Sequence, residues 1–328
     1  MWFCFLWNFP RQRKALERIA SRAGFSWVAI LVCLLFGTQA LAQEEPLKWG
    51  EVSRADLEMK SFPADSDAAA MILCDYGEVS FDSEFELNFQ RHRRIKILSP
   101  AGYDDWGSFT IQYYAKDRVH RVEDVEGQTI ILEPNGKVRR EKLDKKSVFD
   151  EDVDGEWRRV RFALPALTTG AVVEYRYRLH SKNPAWLEEW EFQNSEPTRW
   201  SEFRAEIPGV LHYIMVRQEL LSFDVQESTD HPWPPTMSYA QTAKAYNIKF
   251  MHHRWAVKDM PALREEQFMT TPDDYRAKMR FQLAGIKWPD SPERKYMHTW
   301  EKLAEERRAI LSKTPSARFR WITPTAVS

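Results

Sequence analysis

The stretch FELNFQRHRRIKIL, residues 85–98, decides the fold class of this 328-residue chain. Apolar side chains recur at every second position near both of its ends, and the alternate positions carry polar or charged groups. A period of two is typical of a long strand with one buried face. Strands of a parallel sheet, which are covered on both faces, would instead read as continuous apolar runs. The stretch therefore predicts an antiparallel strand with the core-facing positions Phe85, Leu87, Phe89, Ile95 and Ile97.

The same alternation returns along the chain as far as residue 257. Between two of the alternating segments, Asn135-Gly136 predicts a tight hairpin turn, because this pair tolerates the positive φ angles that such a turn requires. Many strands with hardly a helical stretch among them indicate an all-β fold. We predict an antiparallel β-sandwich over residues 49–257, with strands at 84–97, 109–113, 129–132, 137–140, 160–164, 173–179, 186–192, 203–207, 213–217 and 246–257.

The pattern changes after residue 257. Residues 258–292 contain four prolines and are predicted to be extended chain that crosses a surface. Residues 293–311 predict a connecting helix that begins near Pro292, because proline favours the first helical position and large side chains then recur at spacings of three and four. The tail, residues 312–328, has no periodicity. The predicted helical stripe consists of Tyr296, Trp300, Leu303, Arg307 and Ile310.

An apolar run, FSWVAILVCLLF at residues 25–36, lies near the N-terminus. Five basic residues precede it, and Ala40-Leu41-Ala42 supplies a small-x-small sequence before Gln43. This order is typical of a secretory signal peptide, and the run is shorter than a membrane-spanning helix usually requires. We expect residues 1–42 to be a signal peptide and the mature protein to be periplasmic or secreted. The alternatives are retention of this segment as a membrane anchor, or its burial as a core helix.

The charge balance argues against a nucleic-acid-binding protein. The chain has 47 basic and 48 acidic side chains, and residues 1–42 hold five of the former and one of the latter. The remainder therefore carries 42 against 47, a net charge of −5, which provides no basic footprint for a phosphate backbone. Cys74 is the only cysteine after residue 42, which excludes an intrachain disulfide framework in the mature protein.

Several segments, in order, resemble a bacterial exported domain of unknown function that typically stands directly in front of a transglutaminase-like, papain-type module. Residues 91–97 (RHRRIKI) resemble the most recognisable strand of that domain, and residues 170–175 (GAVVEY) resemble the strand after its central turn. The remaining matches cover most of the mature chain. They are residues 49–73 with Phe62, Pro63, Asp65 and Asp67, residues 85–114, residues 259–263 with Glu265 and Glu266, and residues 300–303.

The resemblance implies a β-sandwich followed by a catalytic module with a Cys-His-Asp triad. Thiolate chemistry needs a cysteine whose pKa is lowered by a neighbouring base. No cysteine follows Cys74, so the nucleophile of the family cannot be assigned to any position here. We therefore expect the chain to be present without its enzyme module, either as a truncated or frame-shifted product or as a naturally short protein.

Cys74 itself could act as a nucleophile, with His92 or His120 as its base. It ends an apolar run just before Asp75-Tyr76-Gly77, which predicts a turn, and buried free cysteine usually behaves as a small hydrophobic residue. We predict a structural thiol and assign no catalytic residue.

No metal or cofactor site is predicted either. His252 and His253 are adjacent on a predicted strand, so their rings point to opposite faces and cannot share one ion. No other histidine lies at a ligand spacing such as HExxH. The acidic groups at 150–154 and 188–191 could bind calcium or act as paired acids, but they lack the spacing of a complete calcium loop, and we predict solvated turns.

Aromatic residues supply the candidate binding surface. They could line a groove for a carbohydrate or a peptide, or fill the core of the sandwich. The rigid segment His231-Pro232-Trp233-Pro234-Pro235 could dock a partner or simply connect two elements. The candidate surface residues are Trp186, Trp190, Phe192, Trp200 and Trp233, with Phe203 beside them.

These observations predict a non-catalytic exported β-sandwich that accompanies and positions a transglutaminase-like module. The alternative is a module that binds an envelope polymer or protein through surface aromatics. A third hypothesis is a cysteine hydrolase or acyltransferase with a site spread over several strands, since catalytic triads are spatial rather than sequential.

Overall fold

The computed structural model of this protein describes residues 45–218 and 222–296. The chain divides after Pro46 into two units, and every element named below lies in the second, Leu47–Ser328. The described residues form four short α-helices: α1 (Arg54–Glu58), α2 (Gly102–Trp106), α3 (Ala240–Ala245) and α4 (Pro272–Tyr275). They also form fifteen strands: β1 (Ala70–Phe81), β2 (Leu87–Ile97), β3 (Ser108–Tyr114), β4 (His120–Leu132), β5 (Val138–Lys142), β6 (Val148–Asp152), β7 (Trp157–Ala163), β8 (Val172–Ser181), β9 (Trp190–Glu191), β10 (Thr198–Pro208), β11 (Leu211–Gln218), β12 (Val225–Pro232), β13 (Lys249–Met260), β14 (Lys278–Ile286) and β15 (Arg294–Lys295).

The strands form three sheets. The main sheet has eight strands in the order β12-β13-β10-β1-β2-β8-β4-β5. The second sheet joins β11, β14 and β15, with β9 also paired to β14, and the third has the order β3-β7-β6. The prediction of an all-β fold with few helices is confirmed. One pair departs from the antiparallel rule, because β1 runs parallel to β10.

The core lies against one face of the main sheet, which we call the inner face. One apolar cluster contains side chains from all three sheets, including Phe203 of β10, Phe162 of β7 and Phe281 of β14. The alternation predicted for residues 85–98 places Phe89 and Ile95 of β2 in this cluster. The opposite, outer face carries the polar positions of the same strands, such as His92 and Glu174.

The predicted turn at Asp75-Tyr76-Gly77 is wrong, because these residues lie in the middle of β1. Asp75 is fully buried there, and it is tolerated because two arginines of β2 bind its carboxylate. Gly77 fits because the indole ring of Trp190 packs directly over its backbone. A polar residue and a glycine inside an apolar run resemble the sequence of a turn. Here Asp75 and Gly77 are instead explained by tertiary contacts, with the arginines of β2 and with Trp190.

Residues 258–292 do more than cross a surface. Strand β13 continues to Met260, and β14 lies at the centre of the second sheet, between β11 on one side and β9 and β15 on the other. In β14 the buried side chains Met279, Phe281 and Leu283 alternate with exposed ones. The β-domain therefore does not end at residue 257.

The predicted connecting helix, residues 293–311, is contradicted at its start. Arg294 and Lys295 form β15, and the Tyr296 amide donates to the Ala284 carbonyl at 2.8 Å. The rest of this prediction, the tail 312–328 and the predicted signal peptide 1–42 lie outside the described residues. Within the described ranges, no helix has the length and apolar character needed to cross a membrane.

A short segment, Leu47–Gly50, lies across the outer face of the main sheet, and we call it the N-terminal strap. Leu47 is buried against Cys74 and Tyr76 of β1. The ring of Trp49 lies between His92, at 5.5 Å between centroids, and the guanidinium of Arg176, at 4.7 Å. The strap therefore covers part of a face that the sequence pattern marks as polar.

Candidate functional site

A buried charge network occupies the outer face beneath the N-terminal strap. The register of the sheet aligns Arg94 of β2 with Glu174 of β8, and Glu174 in turn with Gln128 of β4. Glu174 is fully buried and accepts hydrogen bonds from His92 Nε2 at 3.0 Å, Arg94 Nε at 3.1 Å and Gln128 Nε2 at 2.7 Å. The Gly50 amide of the strap donates to its second oxygen at 2.8 Å.

The electrostatics of Glu174 favour its ionised form. Burial alone would raise the pKa of this carboxyl group, but the hydrogen bond from His92 and the charge of Arg94 together hold the pKa below its ordinary value. Each carboxylate oxygen has donors, so Glu174 is positioned to hold strands and strap together. It is not an available base.

A second network lies on the inner face. Arg91 donates to both oxygens of Asp75, at 3.0 Å and 2.7 Å, while Arg93 binds the same carboxylate and Asn194. Burial alone would raise the pKa of Asp75, but the two guanidinium groups outweigh it and lower the pKa to about 2. The Arg91 guanidinium also lies over the ring of Trp190, 4.7 Å from its centroid. RHRRIKI thus places its arginines on both faces of the sheet, each time opposite a buried carboxylate.

A third buried carboxylate, Glu202 of β10, repeats the arrangement on the outer face. It accepts from Arg204 Nε at 2.7 Å, Arg254 Nε at 2.8 Å and Trp200 Nε1 at 2.9 Å. Desolvation would raise the pKa of Glu202, but Arg254 and Arg204 lower it below its usual range. The three carboxylates at the centre of the main sheet are therefore all neutralised by arginines.

Cys74 lies in a setting that suppresses thiolate chemistry. It is buried against Leu47 and Tyr76, and burial, reinforced by the charges of Asp75 and Glu202, raises the pKa of its thiol well above the ordinary value. Within the described residues no hydrogen bond joins the thiol to an imidazole. His92 is bonded to Glu174. His120 lies on β4, eight residues before Gln128, which is the β4 residue that contacts Glu174.

The five aromatic residues of the candidate surface do not form one group, although the rings of Trp190 and Phe192 are in contact at 6.5 Å between centroids. Trp190 and Phe192 are in the core, where the Trp190 ring stacks on Phe203 at 5.3 Å and its Nε1 donates to Ser201. Trp233 is also buried. Trp186 is 39% exposed and Trp200 is partly buried, so these two alone reach solvent to any extent. The other three side chains are buried, because burial of their apolar area is favourable. The five residues therefore do not form a common exposed surface.

A different aromatic cluster surrounds Trp233. Phe85 and Trp288 pack on each other and on Trp233, and Tyr239 packs on Phe85 and Trp288, with ring centroids 4.8 to 6.3 Å apart. Phe85 and Tyr239 both have positive φ angles, of 64° and 60°, which is uncommon for bulky residues. Tyr239 is 61% exposed. The sequence predicted Phe85 as a core-facing strand position, but the strand begins at Leu87. It gave no prediction of this cluster, because three separate loops bring Phe85, Tyr239 and Trp288 together.

A cavity of about 460 Å³ adjoins this cluster and includes residues of the proline-rich segment. Its walls are mainly apolar and come from the segment 232–235 and from helix α3 with the chain after it. A volume of this size lies in the range of small-ligand pockets. The residues that line it include Pro232, Trp233, Pro235, Ala243, Lys244 and Ile248.

Histidines and acidic clusters mostly have local partners. His252 and His253 are on β13, as predicted; His253 bonds Ser228 on the edge strand, while His252 approaches Glu206. The acidic stretch 150–154 was predicted to be a turn, but its first three residues belong to β6. They pair there with the arginines of β7, including Asp150 with Arg158 at 3.0 Å.

Among the residues that the structure describes, two groups of side chains could nevertheless hold a metal ion. One combines Glu189, Glu191 and Asp273, and the other combines Asp82, Glu86 and His180. In both, the candidate ligand atoms lie within 4.8 Å of one another.

Comparison with known proteins gives a family and a fold. The family model described as "Domain of Unknown Function with solved-structure structure (DUF3857)" matches residues 85–264, more than half of the chain. Among solved structures, a 2.00 Å crystal structure of a "putative protease" from Parabacteroides distasonis ATCC 8503 aligns with a TM-score of 0.51 and 10% identity. The alignment covers 66% of this chain and 41% of that one, so the chain spans about two fifths of that protein. At this identity the likeness shows a shared fold. No curated protein matches the chain.

Proposed function

This chain belongs to the DUF3857 family of domains of unknown function, and we propose that it is a non-catalytic exported domain that accompanies and positions a transglutaminase-like enzyme module. The leading support is the state of its only mature thiol, Cys74, which is buried and has a raised pKa. The buried carboxylates of the main sheet also lack the free oxygen that a general base would need.

The structural comparison supports a role beside an enzyme. The Parabacteroides protein is described as a "putative protease", and this chain shares its fold over only 41% of that protein. A β-domain that makes up a minority of a longer enzyme is suited to hold a catalytic module or to present substrate to it. The resemblance of residues 91–97 and 170–175 to a domain that precedes such modules agrees with this role.

Activity assays test the non-catalytic part of the proposal. The purified protein and its Cys74→Ala variant should be compared for amide hydrolysis of casein and for transfer of a fluorescent amine to casein. We expect neither preparation to exceed the background rate. Activity that disappears in Cys74→Ala would overturn the proposal and favour the cysteine hydrolase hypothesis.

The positioning role needs a separate measurement. A transglutaminase-like module purified from a longer family member should bind this protein in a sedimentation experiment, and its kcat/KM should rise when this protein is added. Bovine serum albumin at the same concentration serves as the control. Absence of both association and activation would contradict the role.

A second function, binding of an envelope polymer, is favoured by the exposed face of Tyr239 in the aromatic cluster beside the 460 Å³ cavity. Exposed aromatic rings can stack on sugar rings. Tyr239→Ala should then reduce retention on insoluble peptidoglycan, whereas Tyr246→Ala, on the far end of α3, should not. Equal retention of both variants would argue against this function.

The proposed setting is extracytoplasmic, as the apolar run at 25–36 and Ala40-Leu41-Ala42 indicate. Mass spectrometry of the protein recovered from a bacterial periplasm should show a mature N-terminus at Gln43. Recovery of the intact N-terminus in the membrane fraction would favour the anchor alternative.

A further inference from the structure

The turn between β1 and β2 and the end of β8 bring together three side chains that can ligate a metal. Asp82 and Glu86 belong to the turn, and His180 lies 94 residues beyond Glu86 in the sequence. Because β2 pairs with β8, Asn88 is aligned with His180, and Glu86 comes next to the imidazole. The candidate ligand atoms of Asp82, Glu86 and His180 all lie within 4.8 Å of one another.

The imidazole is buried and held in one orientation. His180 is 4% exposed, and its Nδ1 lies 3.0 Å from Asn88 Oδ1. Its Nε2 lies 2.6 Å from Glu86 Oε2. Nε2–H can donate directly to Glu86 Oε2. A metal ion bound to Nε2 would replace that proton, and Nδ1 would then be the nitrogen that donates to Asn88 Oδ1. A ligating histidine typically donates its second ring nitrogen to an oxygen in this way.

The charges around this group are unbalanced. Within the described residues, no lysine or arginine forms an ion pair with Asp82 or Glu86, and His180 is the only partner in an ion pair with either. The three buried carboxylates of the main sheet contrast with this, because each binds arginines.

The other acidic group shows what a satisfied cluster looks like. Lys278 binds Asp273 at 2.8 Å, Arg276 binds Glu191 at 2.6 Å and Arg280 binds Glu189 at 2.9 Å. Protein cations already fill that site, so it needs no metal. In the described part of the chain, the group at Asp82, Glu86 and His180 has no lysine or arginine in this role, and only His180 pairs with Glu86.

The turn is also ordered before any ion arrives. Asp82 Oδ1 accepts from the amides of Glu84 at 2.9 Å and Glu86 at 3.0 Å, and the Asp82 amide donates to the Glu86 carbonyl at 3.0 Å. These bonds hold the two carboxylates on the same side of the turn as His180. Within the described residues, Oδ2 of Asp82 accepts no hydrogen bond.

We propose that Asp82, Glu86 and His180 form a site for a divalent transition-metal ion, with Zn²⁺ as the favoured ion. Two carboxylates and one imidazole are a suitable donor set for Zn²⁺ or Mn²⁺, and water completes the coordination. Ca²⁺ prefers six to eight oxygen ligands and fits this set less well. The bound ion ties the β1–β2 turn to β8 and supplies the charge that the two carboxylates lack.

Isothermal titration of tag-free, chelator-treated protein with Zn²⁺, Mn²⁺ and Ca²⁺ tests the proposal. We expect one Zn²⁺ per chain, weaker Mn²⁺ binding and little Ca²⁺ binding. His180→Ala should weaken Zn²⁺ binding at least about tenfold, the range seen when a ligand or its orienting partner is removed. Zn²⁺ should also raise the Tm of the wild-type protein and leave that of His180→Ala unchanged.

Conservative and control variants keep the test decisive if His180→Ala folds poorly. Asp82→Asn retains the oxygen that caps the turn, and Glu86→Gln retains the shape of the side chain, so both should fold and both should lose Zn²⁺ affinity. His212→Ala, which removes an exposed histidine near Glu293, and Glu189→Gln should bind Zn²⁺ as the wild type does. The proposal would be overturned if the wild type did not bind Zn²⁺. It would also be overturned if Asp82→Asn and Glu86→Gln bound Zn²⁺ with the affinity of the wild type.

Discussion

Gly77 is a residue whose identity follows from a neighbour more than 100 positions away. A Cβ at this position would overlap the indole of Trp190, with two ring carbons at 2.8 Å. The ring in turn stacks on Phe203 and receives the Arg91 guanidinium. The absence of a side chain at Gly77 therefore makes room for the indole of Trp190. Arg91, which is bound to Asp75, contacts the same ring.

Gly77→Ala tests this packing. We expect a loss of about 1–3 kcal/mol in the free energy of unfolding, because the extra methyl group overpacks a filled core. Trp190→Phe should cost stability by itself but should leave room for the methyl group. The double variant should therefore lose less than the sum of the two single variants in urea unfolding, whereas strict additivity would contradict the contact.

Asp75 predicts an acid-sensitive contribution to stability. Its folded pKa of about 2 lies below the ordinary 3.8, so the ionised form stabilises the fold above pH 3.8, and this contribution is lost as the pH falls toward 2. The shift corresponds to roughly 2 kcal/mol. The free energy of unfolding measured from pH 5 to pH 2 should fall less steeply in Asp75→Asn. That variant should also be less stable at pH 7 by about 3–5 kcal/mol, because the buried Arg93 and the partly buried Arg91 lose their partner. Parallel pH curves would rule this account out.

Lys96 should give the opposite dependence. It is fully buried, its ammonium donates to the carbonyls of Leu57 at 2.8 Å and Gly170 at 2.6 Å, and burial lowers its pKa from 10.5 to about 8. Between pH 8 and 10.5 the unfolded chain binds the proton and the folded chain does not, so stability should rise with pH in that window. The difference in unfolding free energy between wild type and Lys96→Met should change in favour of the wild type over this range. A difference that is constant with pH would show that Lys96 stays protonated in the fold.

At the scale of elements, the sequence predicts most of the strands, such as β2, and misses β1, β6, β12 and β14. Strand β2 alternates clearly and was predicted nearly to its ends. Strands β6 and β12 are edge strands whose side chains are mostly exposed, so no apolar period marks them. Strand β1 is buried on both faces, and Asp75 and Gly77 interrupt its apolar run. Its parallel pairing with β10 depends on contacts that no local pattern encodes.

The candidate sites also divide into features that the local sequence determines and features that depend on contacts between distant segments. Burial of Cys74 was predicted from its apolar neighbours, because local composition determines it. The group of Asp82, Glu86 and His180 could not be predicted, since its members meet only through the register of β2 and β8. The aromatic cluster of Phe85, Trp233, Tyr239 and Trp288 likewise depends on three loops meeting beside α3.

The second sheet provides a matched pair of variants. Strand β11 has one described neighbour, β14, and exposes Ile214, Met215 and Val216, whereas Met279 of β14 is 1% exposed. Met215→Lys should change the free energy of unfolding by no more than about 0.5 kcal/mol and should reduce aggregation, because a charge on an edge strand discourages pairing between molecules. Met279→Lys should cost at least about 3 kcal/mol, since it places an unpaired charge in the core. Equal losses in guanidinium unfolding would show that Met215 is covered in solution.

At the scale of the whole molecule, the N-terminal strap joins elements that are far apart in sequence. Its main chain contacts Glu174 of β8 and Arg94 of β2, and Arg140 of β5 donates to the Gly50 carbonyl at 3.2 Å. The strap therefore shields the outer-face charge network from water. A low local dielectric strengthens each of those ion pairs.

Removing the anchor of the strap should weaken the whole domain. Leu47→Ala should lower the free energy of unfolding by about 2–5 kcal/mol, the range for a buried leucine, and should speed hydrogen exchange in β1 and β2 near Cys74 and His92. Val138→Ala, at a position that is 36% exposed on β5, serves as the control and should be close to neutral. Unchanged exchange in Leu47→Ala would mean that the strap lies on the sheet without stabilising it.

The parallel pairing of β1 and β10 cannot form until β10 has been synthesised. Ile72 pairs with Thr198, which a ribosome adds 126 residues later. At about 5–20 residues per second, roughly 6–25 s separate the two events. During that interval the hairpin of β1 and β2 can form, but the other edge of β1, with its apolar run from Ala70 to Leu73, has no partner. Until β10 is available, this apolar edge is open to pairing with another chain.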